Sequence, residues 1–348
     1  TFAHVLIYSK SDLTEQSTPT ALLISDTIAS VANVTFFDRD LDAEEVGGNV
    51  TWDAAGDLLL VTHFAVYFAE HPAAGAGRVR VGHDVTAAQL GLIFIHPDLS
   101  PPLSPYGYLA VHTSSSLVER TTPVAILVSD AVSSVSGIVF IDLDLDETDL
   151  GGNITWQPPV EASQVTYYSV YLAFETSGVG RSQVGGDVAM GSNLAVLPPE
   201  TTTLALNGTL EYVTVYTRSL LLEQTTPVTL FINDTLGMAD ISFFDKDLDA
   251  TQIGGTITWR EPDSVDLTTH YLVLFSLAAN GTGRSQLGVE LPVGTNAVAF
   301  PPEHYYDPYP YIVVYTKSRL VEQTTPGYLR FVDIDASITG LGFNDADL

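Results

Sequence analysis

Cysteine is absent from the 348 residues, so neither disulfides nor thiolate chemistry can contribute to this protein. Lysine is scarce, and 13 basic residues against 42 acidic ones leave a formal charge of −29. That balance argues against nucleic acid or an anionic membrane surface as partner, since both require a basic face to displace counterions. Cations are the natural partners. No apolar run approaches the roughly 18 residues that span a bilayer, so no membrane insertion is expected in this segment. No basic-then-apolar leader or Met opens the chain, and an acidic motif breaks off at Leu348, so the sequence reads as a window on a longer chain. Catalytic signatures are missing as well. There is no Gly-x-Ser-x-Gly, His-Glu-x-x-His or phosphate-binding loop, and the eight His fall at mostly unmatched positions, so no enzyme is expected.

What is present is repetition. Trp recurs at 52, 156 and 259; Gly-x-Gly-Arg ends at Arg78, Arg181 and Arg284; a Glu-x-[Ser/Thr]-Thr-Pro element ends at Pro19, Pro123, Pro227 and Pro326. The period of 99 to 104 residues is too long for a solenoid unit and suits a whole domain. A hydrophobic content of 45% supports a packed core in each. Within one period, short alternating segments are punctuated by Gly and Pro, with no 3.6-residue periodicity, which makes the domain all-β. In the second copy the expected strands are Ser136 to Phe140 (A), Asn153 to Trp156 (B), Thr166 to Phe174 (C) and Arg181 to Val184 (C′). Asn193 to Leu197 (E), Tyr212 to Thr217 (F) and Pro227 to Ile232 (G) follow, enough for a two-sheet sandwich. Ile154 and Trp156 then face the core while Asn153 and Thr155 face solvent.

The order of landmarks resembles the fibronectin type III domain, through Ile154-Thr-Trp156-x-Pro158-Pro159, Tyr168-x-Val170-x-Leu172, Leu194-x-x-Leu197-x-Pro199 and Tyr212-x-Val-x-Tyr216. The resemblance implies tandem immunoglobulin-like β-sandwiches arranged as beads on a string, and no activity, because such domains are mostly spacers and adhesive modules. The expected divisions are 1–28 (strands F and G of a preceding repeat), 29–131, 132–235 and 236–335 (three sandwiches), and 336–348 (the first strand of a further one).

The departure from that family is an acidic segment between strands A and B. Phe140 to Trp156 carries Asp142, Asp144 and Asp146 ahead of Gly-Gly; the other copies carry Asp38, Asp40 and Asp42, and Asp245, Asp247 and Asp249. Carboxylates at i, i+2 and i+4 match the first ligands of a calcium loop, and the Gly-Gly is expected to let the chain reverse. On a flat strand they would lie roughly 7 Å apart, so the segment must bend to chelate. In such a sandwich the A–B turn, the E–F turn and the end of G share one pole. Calcium is therefore expected at Asp38, Asp40, Asp42, Asp98 and Asp130; at Asp142, Asp144, Asp146, Glu200 and Asp234; and at Asp245, Asp247, Asp249, Glu303 and Asp335. The competing reading pairs these carboxylates with Arg78, Arg181 and Arg284, expected at the same pole.

Six of nine Asn lie in Asn-x-Thr, namely Asn33, Asn49, Asn153, Asn207, Asn233 and Asn280. With Ser and Thr at roughly a fifth of residues, chance predicts about two such sequons, so the excess points to N-linked glycans and an extracellular or cell-surface location. The function expected is a structural subunit of an extracellular fibre, filament or stalk rigidified by calcium, its partners further copies of the repeat in the same or neighbouring chains. The alternative is a calcium-dependent adhesin or glycan-binding surface protein.

Overall fold

A computed structural model describes residues 2–97, 104–235, 237, 239–263, 265–286 and 290–347. The chain divides into two units, Thr1–Ser133 with Ser219–Gln224, and Ser134–Arg218 with Thr225–Leu348. One 3₁₀ turn, Val265–Leu267, is the only helical element among the described residues, and no helix is long and apolar enough to cross a membrane.

The first unit opens with a hairpin, β1 (His4–Ile7) paired antiparallel with β2 (Thr20–Leu23), exposed along both strands. Seven further strands follow: β3 (Ala29–Phe36), β4 (Gly48–Gly56), β5 (Val61–Ala69), β6 (Arg78–Thr86), β7 (Leu92–Ile95), β8 (Tyr108–Ser115) and β9 (Val124–Leu127). They form a three-stranded sheet in the order β3-β4-β7 and a four-stranded sheet β6-β5-β8-β9. Alternation along β4 turns Val50 and Trp52 inward, where Trp52 meets Phe64 edge to face at 5.7 Å, and leaves Asn49 and Thr51 outside.

The second unit repeats this plan twice. Its first sandwich comprises β10 (Ser136–Phe140), β11 (Asp149–Gln157), β12 (Tyr167–Ala173), β13 (Ser182–Gln183), β14 (Val188–Ala189), β15 (Leu194–Thr202), β16 (Leu204–Ala205), β17 (Gly208–Thr209), β18 (Tyr212–Arg218) and β19 (Val228–Phe231). The second comprises β20 (Ala239–Phe243), β21 (Gln252–Arg260), β22 (Thr268–Ser276), β23 (Ser285–Gln286), β24 (Leu291–Pro292), β25 (Ala297–Tyr305), β26 (Tyr311–Ser318) and β27 (Gly327–Arg330). The sheet orders are β10-β11-β15 with β13-β12-β18-β19, and β20-β21-β25 with β23-β22-β26-β27. Strands A-B-E in one sheet and C′-C-F-G in the other are the fibronectin type III arrangement, so the chain is a tandem array of sandwiches of that type. Ile154, Trp156, Tyr168, Val170 and Leu172 are buried, as the alternation requires; fully burying an aliphatic such as Ile154 contributes about 1.5–3 kcal/mol.

Two features differ from the sequence expectation, and both shape the acidic loops. Strand B begins at Asp149, not Asn153, because Gly151 and Gly152 lie inside the strand and do not form a reversal. Both glycines answer close approaches: a Cβ on Gly151 would stand 2.9 Å from Pro199 Cα, and Gly152, at φ 145°, would put one 2.7 Å from the Ile141 carbonyl. Strand E runs on to Thr202 through a bulge that sets Leu150 opposite Thr201 and Gly152 opposite Leu197. At its centre Glu200 adopts φ 60°. A second bulge recurs between strands A and B, with Asn33, Gly137 and Asp240 in left-handed backbone, each a residue type that tolerates it.

Candidate functional site

Each Asp-x-Asp-Leu-Asp segment winds instead of running flat. In the second repeat the amide of Asp144 donates to Asp142 Oδ1 (3.1 Å) and that of Asp146 to Asp144 Oδ1 (3.2 Å), two successive Asx turns. The same pair recurs at Asp38, Asp40 and Asp42, and at Asp245, Asp247 and Asp249. The remaining oxygens collect amides from the rest of the pole. Asp142 accepts Gly151 N (2.9 Å) and Thr235 N (3.1 Å), and Asp144 accepts Glu200 N (2.7 Å), presented by the bulge. Asp234 Oδ2 accepts the amide of Thr148, itself at φ 70°.

Burial without a counter-charge dominates the electrostatics. It pushes Asp142 up to about 7 and Asp38 to about 6, the capping amides pulling the other way. Asp144 is raised by burial, whereas Asp247, its counterpart in the third repeat, is held below the usual carboxylate range by the amides of Glu303 and Asp249. Asp130, Asp234 and Asp333 each leave Oδ1 buried with no hydrogen-bond partner among the described residues.

Among the described residues, two groups of carboxylates bring their ligand atoms within 4.8 Å of one another: Asp40, Asp42 and Glu45, and Asp144, Asp146 and Glu200. Of the expected ligands, Asp38, Asp142, Asp130 and Asp234 stand beside these groups, capped by backbone amides. Glu45 was not expected; its only signal was its place in the acidic run Glu44-Glu45. The described residues of the third repeat form no such group, and Asp249 is exposed. In the third repeat it is Asp333, and not the expected Asp335, that stands at the place of Asp130 and Asp234: it accepts the Thr251 amide as they accept those of Glu44 and Thr148. Asp98 lies outside the described residues.

The arginines are also placed differently from expectation. Their described contacts are with tyrosines on the face of the C′-C-F-G sheet turned away from the core. Arg78 stacks on Tyr67 (4.1 Å) and pairs with Glu119 (2.8 Å), Arg181 lies between Tyr171 and Tyr216, and Arg284 stacks on Tyr315 and pairs with Glu322.

What reaches the loops is a turn from the following repeat. In the second unit Ser318 Oγ donates to Leu143 O (2.6 Å), and Asp146 accepts the amides of Thr324 (2.6 Å) and Thr325 (2.7 Å) together with both their hydroxyls. Leu320 packs where a Cβ on Gly151 would stand. In the first unit Ser219 Oγ donates to Arg39 O (2.7 Å), Gln224 Nε2 to Leu41 O (3.2 Å), and Leu221 packs against Gly47. The Glu-x-[Ser/Thr]-Thr-Pro element, legible in sequence only as a marker of the period, supplies this docking turn. All six sequon asparagines are exposed, with Asn49 and Asn153 at equivalent places on strand B.

No family model matches the chain, and no curated protein matches it. Solved structures similar to it include the central fibronectin-III array of RIM-binding protein, at 14% identity over 89% of this chain and 100% of that one, with a TM-score of 0.20. Chicken CNTN1 FN1-FN3 domains match at 12% identity over 88% and 99%, with a TM-score of 0.22. Scores of this size carry no weight, and the assignment stands on strand order and register.

Proposed function

We propose that this array of fibronectin type III-like sandwiches is a structural segment of an extracellular glycoprotein fibre, filament or cell-surface stalk, stiffened by calcium where repeats meet. The observation that carries the reading is the docked turn. A spacer with freely hinged domains has no need to bury Asp146 under Thr324 and Thr325, whereas a load-bearing thread gains from a fixed junction. Six exposed sequons and the acidic surface support an extracellular setting.

The donor set suits a hard cation. Asp144, Asp146 and Glu200, with Asp40, Asp42 and Glu45, offer oxygen ligands only, and partly buried carboxylates this close repel unless an ion neutralises them. Calcium there would supply charge compensation and tie the bulge of strand E to the Asp loop. The ligands come from separate segments, so affinity is expected on the order of 10⁻⁴ to 10⁻³ M, as in other extracellular modules. Calorimetry of the whole chain should find a calcium-binding heat that Glu200→Ala reduces, and X-ray scattering should report greater flexibility in EDTA. The absence of both a binding heat and a change in scattering would overturn the ion.

A further inference from the structure

The sequon asparagines on strand B stand in a cross-strand setting that two repeats share and the third lacks. Along β4 the pleat turns Asn49 and Thr51 outward, and the register with β7 sets Phe94 opposite Asn49 and Leu92 opposite Thr51. In the second repeat β15 sets Val196 opposite Asn153 and Leu194 opposite Thr155. Residues directly opposite in an antiparallel pair share a face, with Cβ atoms about 4.5–5.5 Å apart, so each Asn-x-Thr has two apolar side chains beside it. All four face solvent: Phe94, Leu92, Val196 and Leu194 are 38%, 46%, 59% and 43% exposed. The third repeat keeps the strand and its register but not the sequon. Thr256 takes the place of Asn153, and the residues opposite Thr256 and Thr258 on β25 are Ala299 and Ala297. Large apolar residues thus occupy strand E where strand B carries the sequon, and alanines where it does not. Strand E is the edge of its sheet, where exposed apolar side chains invite unwanted pairing unless something covers them.

We propose that N-linked glycans at Asn49 and Asn153 lie back over strand E, the first N-acetylglucosamine packing on Phe94 and Leu92 in the first repeat and on Val196 and Leu194 in the second. A pyranose ring carries its hydroxyls around the rim and presents C–H groups on its faces. It therefore removes apolar surface from water while its rim stays hydrated, and over Phe94 the C–H groups also meet the electron-rich face of the aromatic ring. The asparagine is the tether. A sugar already held beside its cross-strand neighbour makes the contact with little further loss of freedom. The proposal rests on the reading of the chain as an extracellular glycoprotein.

Hydrogen exchange of the whole chain, secreted from a eukaryotic host, tests it on peptides covering β4 and β7. Removing the glycan with Asn49→Gln should speed exchange there about two- to fivefold, the size of an ordinary cross-strand pair. In a background of Leu92→Ser and Phe94→Ser, both solvent-facing positions, the same removal should change nothing. Enzymatic trimming to the first sugar should keep the protection. Thr256→Asn completes a sequon with Thr258, and a glycan installed there should protect β21 and β25 only when Ala297→Leu and Ala299→Phe accompany it. Glycan removal that costs the same in both backgrounds, protection lost on trimming, or protection by the installed glycan over the alanines would overturn the proposal and leave the glycoprotein reading intact. An Asn49 found unmodified by mass spectrometry of the secreted chain would overturn that reading, and the proposal with it.

Discussion

Asp146→Ala removes the carboxylate on which the third repeat's turn rests. Asp146 is buried, and its two oxygens accept backbone amides at 2.6 and 2.7 Å. Hydrogen bonds to a charged group contribute about 1.5–3 kcal/mol each, and amides stripped of their acceptor keep the cost of burial unless water enters. Two such bonds suggest a loss near 4 kcal/mol, but deleting one of three crowded carboxylates also relieves repulsion on Asp144 and Glu200. A net weakening of about 2 kcal/mol remains, which corresponds to roughly thirtyfold faster opening of the docked turn. Hydrogen exchange by mass spectrometry on peptides covering Thr324 and Thr325 reads this opening directly. The sandwich cores should keep their protection. Asp249→Ala, whose carboxylate carries no turn, should change nothing in this chain. Unchanged exchange at Thr324 and Thr325 in the Asp146 variant would refute the account of the junction. If wild-type protection there vanished in EDTA, the ion and not the carboxylate would be the element that holds the turn.

Gly151→Ala should destabilise the second unit by about 1–3 kcal/mol in chemical denaturation, because its Cβ must displace Leu320 and the Pro199 backbone, whereas Gly186→Ala, with open space around it, should stay within about 0.5 kcal/mol. His112 gives the first sandwich a pH dependence. Burial lowers its pKa, with Arg78 adding to the effect and the Arg120 carbonyl and Glu119 opposing it. The unfolded chain therefore binds the proton more readily, and stability is lost as pH falls below about 6.5. Asp38, raised by burial, acts in the opposite sense over the acid side of that range, so the comparison is between wild type and His112→Gln, and equal pH profiles for the two would count against the histidine. Peptide mass spectrometry of native material should find N-glycans at Asn49 and Asn153 alike, since both stand exposed at the same place on strand B; six unmodified asparagines would remove the main support for secretion.

Much of this protein was legible along the chain because its governing signals are local. Two-residue alternation around Trp52, Trp156 and Trp259 specifies which strand face is buried, and the repeat of Trp, Gly-x-Gly-Arg and Thr-Thr-Pro marks the period. Asp at every second position announced an acidic turn, and the Asx turns that wind it are themselves local hydrogen bonds. The partners of those carboxylates were not local. Asp142 meets Thr235, Asp144 meets Glu200, and Asp146 meets Thr324 and Thr325, at separations along the chain that only folding closes. No spacing rule reveals that a bulge turns the Glu200 amide inward, or that Asp333 and not Asp335 takes the place of Asp130, because both depend on register across a sheet. Tertiary packing also sent the arginines to tyrosine faces and left backbone amides to hold the buried carboxylates, since an amide already fixed in a strand or turn loses no side-chain entropy when it caps an oxygen.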